Sequence, residues 1–159
     1  EKVELIRENA ARLNLSNIRP EVRNATVPVP EEAGCYDLVL ADVPCSGIGV
    51  IGRKPDVQFN LSEEQFRSLT RLQWKILTVS SMYVKPGGSL LYSTCTLNPD
   101  ENSGMVKAFL DRHPDFHPVD FSENLEPVFR RPEVSEGMLT LLPGRDPCQG
   151  FFICRMQRD

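Results

Sequence analysis

Two cysteines in this chain stand where a thiol could do chemistry. Cys45 lies in "YDLVLADVPCSGIGV", residues 36–50, and Cys95 in "SLLYSTCTLNPDEN", residues 89–102. In each stretch an apolar run ends and a thiol follows, set among turn-forming and hydroxyl residues. A cysteine so placed can be a nucleophile, a metal ligand, a redox partner or a small filler. The metal reading needs more ligands, and His113 and His117 lie far along the chain from both thiols. A redox pair is more often closely spaced, and no C-x-x-C occurs. The chain has five cysteines, an odd number that argues against a disulfide framework. Cys35, Cys148 and Cys154 read as small buried residues. For Cys45 and Cys95 that reading is weaker, because neither sits within an apolar stripe.

The elements that must position these thiols follow from periodicity. "EKVELIRENAARLNL" carries Val3, Ile6, Ala10 and Leu13 at helical spacing. A short strand is predicted around Arg19 to Val22. Tyr36 to Ala41 is almost continuously apolar, as in a strand buried on both faces of a parallel sheet. A loop punctuated by Pro44, Gly47, Gly49, Gly52 and Pro55 follows, and long loops inside compact domains are usually functional. "LSEEQFRSLTRLQWKILTVSSMYV" is the clearest helix, with Ser62 and Gln65 at capping-box spacing and a stripe of Phe66, Leu69, Leu72, Ile76, Leu77 and Val79. "KPGG" stops it, and "SLLYSTC" is the next strand. Asn98, Pro99 and Glu101 predict a capped helix that Pro114 ends. Residues 117–134 carry little periodicity, with one short strand expected near Phe116 to Val119. "GMLTLLPGRDPCQGFFICRM" reads as an antiparallel hairpin.

Alternating helices and strands followed by a hairpin predict an open α/β sheet with an antiparallel edge. Ligands of such sheets bind outside the carboxyl ends of the strands. Asp42, Cys45 and Cys95 all fall there, so the two cysteine loops are expected to face one pocket.

The bulk properties agree with a single soluble domain of 159 residues. The net charge of −4 does not advertise nucleic-acid binding, although an enzyme needs only a local basic rim. Arg53 and Lys54 are the candidate patch, against the simpler reading of a solvated turn; Lys107 reads equally as part of the same rim or as a solvated helix face. The longest apolar run is far short of a membrane span. The charged amino-terminal segment does not resemble a signal peptide, which suggests a cytoplasmic protein without membrane partners.

The segments "DVPCSGIGVIGRKPDV" and "LQWKILTVSSMYVKPGGSLLYSTCTLNPDENSGMVKAFL" resemble the Sun (Fmu) family of RNA cytosine-5 methyltransferases, of the 16S rRNA type. That family carries D-x-P-C-S-G and T-C-[ST] motifs at similar separation, and "NPDEN" and "LLPG…GFF" also match. The resemblance covers nearly the whole chain. It implies a Rossmann-like S-adenosylmethionine methyltransferase sheet, mostly parallel with a carboxyl-terminal antiparallel hairpin, and RNA, in particular rRNA, as partner. It assigns Cys95 as the nucleophile that adds to carbon 6 of cytosine. Cys45 then assists removal of the carbon 5 proton and release of the product. DNA cytosine methyltransferases use the thiol of a Pro-Cys motif as nucleophile instead, which is the competing assignment. Asp42 would bond the cytosine ring edge, or simply end its strand and cap the loop. Pro44 would shape the turn, and Arg53 and Lys54 would hold RNA phosphate.

The family's glycine-rich cofactor loop, A-x-P-G-G-K-T, has no counterpart; the one "PGG", Pro86 to Gly88, lies in the wrong context. The resemblance therefore places residues 1–159 in the carboxyl-terminal part of the catalytic domain, without its first two strands. Asn24, Asp42 and Pro44 are the remaining cofactor contacts it implies, with Asn24 standing in "NAT" where the family has Asp-Ala. "QGFF" at Gln149 departs from a usual acid. A sheet without those strands has an open edge at residues 37–41, which predicts a homodimer, a swapped assembly or a detached amino-terminal helix. A methyltransferase-like piece without activity, serving RNA or protein binding, is the alternative function.

Overall fold

The computed structural model describes residues 2–56 and 62–159. Helix α1 (Lys2–Arg12) is followed by strand β1 (Tyr36–Asp42), helix α2 (Glu63–Tyr83), strand β2 (Val84–Thr94) and helix α3 (Ser103–Leu110). Strand β3 (Phe116–Pro118), the single turn α4 (Pro132–Ser135), and strands β4 (Met138–Leu141) and β5 (Phe151–Arg158) complete the order. Glu1 and Leu61, which open two of the predicted helices, lie outside the described residues.

The sheet runs β1-β2-β5-β3, with β4 beside β3 on the same flank of β5. β1 and β2 are parallel neighbours, and β5 is antiparallel to β2, β3 and β4. Four strands therefore share one direction and β5 alone opposes them. The β4–β5 pair is the predicted hairpin. This is the α/β methyltransferase-type sheet that the sequence suggests.

Local chemistry explains the best-defined elements. Ser62 accepts from the Gln65 amide and Gln65 reaches back to the Ser62 amide at 2.8 Å, a complete capping box for α2. The helix stops at Tyr83, and β2 begins at once. "KPGG" is thus inside the strand, where the register jumps from Tyr36↔Val84 to Leu38↔Ser89. Gly87, at φ 76°, supplies the left-handed residue that this irregularity needs.

The main core lies on one face of the sheet. Leu77 of α2 and Val106 and Phe109 of α3 pack on Leu90, Tyr92, Phe152 and Met156, all essentially buried. His113 stacks on Phe109 with ring centres 4.1 Å apart, and Trp74 meets Phe109 edge-on. In α2 the fully buried residues are Gln73 and Leu77, with Val79 and Ser81 close behind, while Phe66, Leu69, Leu72 and Ile76 are half-buried. A smaller cluster of Phe121, Val134 and Leu139 organises the stretch of weak periodicity, which forms short turns and α4.

Three expectations are corrected. Residues 19–22 form no strand, because no described strand lies beside them and an unpaired strand leaves its backbone groups unsatisfied. Among the described residues β1 is covered on one face only: Leu38 and Leu40 are 57% and 64% exposed, because α2 and α3 pack on the other face. Cys35 and Cys148 are exposed; only Cys154 is a core residue. β1 is also the edge strand among the described residues, and α1 buries only Ala10 while Leu5 and Ile6 remain exposed. Among the described residues no helix is long and apolar enough to cross a membrane.

The packing asymmetry is measurable by urea denaturation. Phe109→Ala is expected to cost about 3–5 kcal/mol, because it empties a fully enclosed site. Leu40→Lys, on the uncovered face, is expected to change stability by less than about 0.5 kcal/mol.

Candidate active site

β1 and β2 end side by side, with Asp42 opposite Ser93. The Val43 amide donates to the Ser93 carbonyl at 3.2 Å, carrying the pairing one residue past β1. Each chain then turns, and the turns bring Cys45 Sγ to 3.3 Å from Cys95 Sγ. Both cysteines are free and half-buried. Parallel neighbours of equal reach thus deliver two thiols to one point, as the sequence suggests.

The loops lock together through their next residues. Ser46 Oγ and Thr96 Oγ1 hydrogen-bond at 2.7 Å, both buried. The Gly49 amide donates to the Cys95 carbonyl at 3.1 Å, and the Gly150 amide donates to the Gly49 carbonyl at 2.9 Å. A Cβ on Gly49 would lie 2.3 Å from the Gly150 oxygen, so only glycine allows this approach. The "QGFF" segment therefore reaches the site through its glycine backbone.

Beneath the loops sits a buried polar hub. Glu101 is completely enclosed. Its Oε2 accepts from the Ser46 amide at 2.9 Å and from Gln73 Nε2 at 2.7 Å, and its Oε1 accepts from Asn98 Nδ2 at 3.1 Å. Gln73 Nε2 also donates to the Pro44 carbonyl at 2.9 Å. Tyr92 Oη donates to the Glu101 carbonyl at 2.7 Å. Asn102 joins the same layer, accepting from Thr94 Oγ1 at 2.6 Å and donating to the Thr96 carbonyl at 3.0 Å.

Sequence reasoning takes Glu101 for a capping residue and does not single out Gln73. Asn98 does cap, accepting from the Asp100 amide at 3.1 Å, but it caps a short turn, Pro99–Glu101. α3 starts afresh at Ser103, after an irregular Asn102. That break turns Glu101 inward. The usable signal was the acid in "NPDEN" falling just after a cysteine strand.

The other predicted residues are placed as follows. Asp42 is exposed at the end of β1, and its Oδ1 accepts from Ser93 Oγ at 2.9 Å. Pro44 is exposed beside it. Arg53 and Lys54 are exposed on the turn after Val50, to whose carbonyl both amides donate. Lys107 is exposed on α3. Asn24 is not brought to the thiols. Its Oδ1 accepts from the Thr26 amide and hydroxyl, and it borders a cleft of about 520 Å³ with Val29 and Tyr83. Tyr83 immediately precedes β2, whereas the thiols follow the other ends of the strands.

Burial, and then the hydrogen bond to Cys95, push the Cys45 thiol up to about 12. Cys45 is therefore a protonated thiol at neutral pH, and either sulfur can be the donor in its contact with Cys95.

The profile of the family described as 16S rRNA methyltransferase RsmB/F matches residues 1–157. The chain belongs to this family. It is 41% identical over 158 residues to the probable ribosomal RNA small subunit methyltransferase B of Bacillus subtilis, covering 99% of this chain and 35% of that protein. The solved structure of PH0851 superposes with a TM-score of 0.86 at 30% identity, over 98% of this chain and 34% of that one. NSun6 from Pyrococcus horikoshii, solved with SFG, an S-adenosylmethionine analogue, gives 0.78 at 25% identity, over 98% and 38%. The chain thus spans about a third of the length of these relatives.

The raised Cys45 value sets a pH dependence. Only the thiolate is alkylated, so Cys45 modification by iodoacetamide should keep accelerating until pH is near 12, well above the ordinary value of 9.0. Peptide mass mapping at pH 8 should show exposed Cys148 labelled well ahead of Cys45. Equal labelling rates at that pH would contradict the assignment. The same shift gives stability present below pH 9 and lost as pH rises toward 12, because the folded state holds the proton longer.

Proposed function

We propose that the full-length polypeptide carrying this chain methylates carbon 5 of a cytosine in RNA, in particular rRNA, with S-adenosylmethionine as donor. The observation that carries the reading is the 3.3 Å meeting of two thiols at the ends of parallel strands in an rRNA methyltransferase family member. Relatives named for small-subunit rRNA support the substrate class. The relative solved with SFG supports the cofactor. Carbon 5 of cytosine is a poor nucleophile. The Cys95 thiolate, its proton released to solvent, bonds to carbon 6 as the 5,6 π pair moves to carbon 5, which can then take the methyl; one hard step becomes two easier ones.

Bound S-adenosylmethionine supplies the electrophilic methyl group. The residues suited to its reacting side are Asp42 and Pro44, both open to solvent at the strand end. Asn24, whose side-chain oxygen is satisfied by Thr26, fits less well. Asp42 has Oδ1 fixed by Ser93, leaving Oδ2 to accept from the cytosine amine. Cys45 completes the reaction. Its proton passes to the departing Cys95 sulfur, and the carbon 5 proton takes its place on Cys45. The carbon–sulfur bond breaks as the ring double bond reforms. The target base must leave its stack to reach these atoms. Arg53 and Lys54 then hold the flanking phosphates.

Incubation with RNA containing 5-fluorocytosine, which blocks the proton-removal step, is the test. Cys95→Ser is expected to abolish the covalent adduct and to cut methylation by roughly a hundredfold or more. Cys45→Ser is expected to form adduct with ordinary cytosine RNA and to release it slowly. The reverse pattern would assign the nucleophile to Cys45.

A further inference from the structure

The peptide groups on both sides of Cys45 are gripped from beneath. On one side Gln73 Nε2 holds the Pro44 carbonyl at 2.9 Å. On the other, Glu101 Oε2 holds the Ser46 amide at 2.9 Å. The two grips are one unit, because Gln73 Nε2 also donates to Glu101 Oε2 at 2.7 Å. Both side chains are 0% exposed. Gln73 comes from the middle of α2, and Glu101 from the turn that follows the Cys95 loop. An acid just downstream of one cysteine thus fixes the backbone that carries the other.

A buried carboxylate is an expensive way to fill space. Its desolvation is offset only when its oxygens are satisfied, and apolar residues of equal volume often serve stability as well. Here the donors are Ser46, Gln73 and Asn98, drawn from three separate segments that meet under the thiols. Removing either grip frees a peptide group next to Cys45. A misplacement of about 1 Å at a reacting group is enough to cost on the order of a hundredfold in rate.

We propose that Gln73 and Glu101 form a positioning unit that sets Cys45 Sγ against Cys95 Sγ, and with it the proton transfer between them, without touching substrate. The catalytic consequence rests on the cytosine-5 reading above; the geometric one does not.

The test uses Gln73→Met and Glu101→Gln in the full-length polypeptide. The first keeps bulk and removes the grip on Pro44; the second keeps shape and removes the charge. Closure of Cys45 and Cys95 by oxidised dithiothreitol reports their proximity, since two protein thiols are oxidised as the reagent disulfide is reduced. The expected result is closure slowed at least about tenfold, read as the linked peptide by mass spectrometry. Release of the RNA adduct should slow to a similar extent with KM for RNA unchanged. A purely structural role predicts a lower melting temperature with closure and release at wild-type rates well below it, and that result overturns the proposal. Should both variants fail to fold, hydrogen exchange at the Ser46 amide of the unsubstituted protein decides. Strong protection supports the grip, and exchange at the rate of an open loop overturns it. Should the unsubstituted protein methylate no cytosine, the functional reading fails, and the disulfide rates still judge the positioning unit.

Discussion

The carboxylate of Glu101 is the constraint on which the rest of the site depends. It is sealed from water and must have its oxygens filled, which it achieves only if the Cys45 loop, α2 and the turn after Cys95 converge on it. Those three segments are the ones that have to meet for two thiols to touch. The electrostatic requirement of one buried group and the geometric requirement of the chemistry are met by the same packing. The hydroxyl pair of Ser46 and Thr96 repeats the theme one layer higher, with a neutral bond between the residues that follow each cysteine.

The sheet supplies the coarse alignment and the polar layer the fine one. Parallel pairing of β1 with β2 fixes the height at which each strand ends, and Asp42 opposite Ser93 marks that height. β5 runs the other way, and Gly150, just before it, closes the loop from the far side at the same level. One face of the sheet is sealed by α2 and α3; the other leaves Leu38 and Leu40 open. The site lies at the end of the strands and draws its support from the sealed face.

Much of this was legible in the sequence because it rests on local rules. The capping box at Ser62, the alternation of apolar strands and helices, the terminal hairpin and the placement of both thiols at strand ends are set by short-range pattern. What was not legible depends on partners distant in the chain. A strand at residues 19–22 needs a neighbour to pair with, and none of the described strands offers one. Exposure on β1 depends on which face the helices choose. Gln73 and Glu101 are residue types that ordinarily point to water, and beyond the place of the acid just after a cysteine strand nothing in their immediate surroundings says that both will be enclosed. Glu101 even sits at proper capping distance from Asn98, so the local rule offered a sufficient but incomplete explanation. The resemblance carried the two cysteines and the acid of the strand end; it carried no role for the hub beneath them.

The place of β5 has a consequence for how such a polypeptide comes into being. It follows the other four described strands in order, yet it lies between β2 on one side and β3 and β4 on the other. A nascent chain emerges amino terminus first, so both thiols leave the ribosome before the strand that joins the two flanks of the sheet. Until β5 inserts, β2 offers an unpaired edge and Gly49 lacks its contact with Gly150. Pairing over such sequence distances is slow and exposes sticky surface while it waits. The backing of the Cys45 loop by Gly150 is therefore added only after synthesis of the strand that carries neither sulfur, onto a thiol pair whose own supports all precede it in the chain.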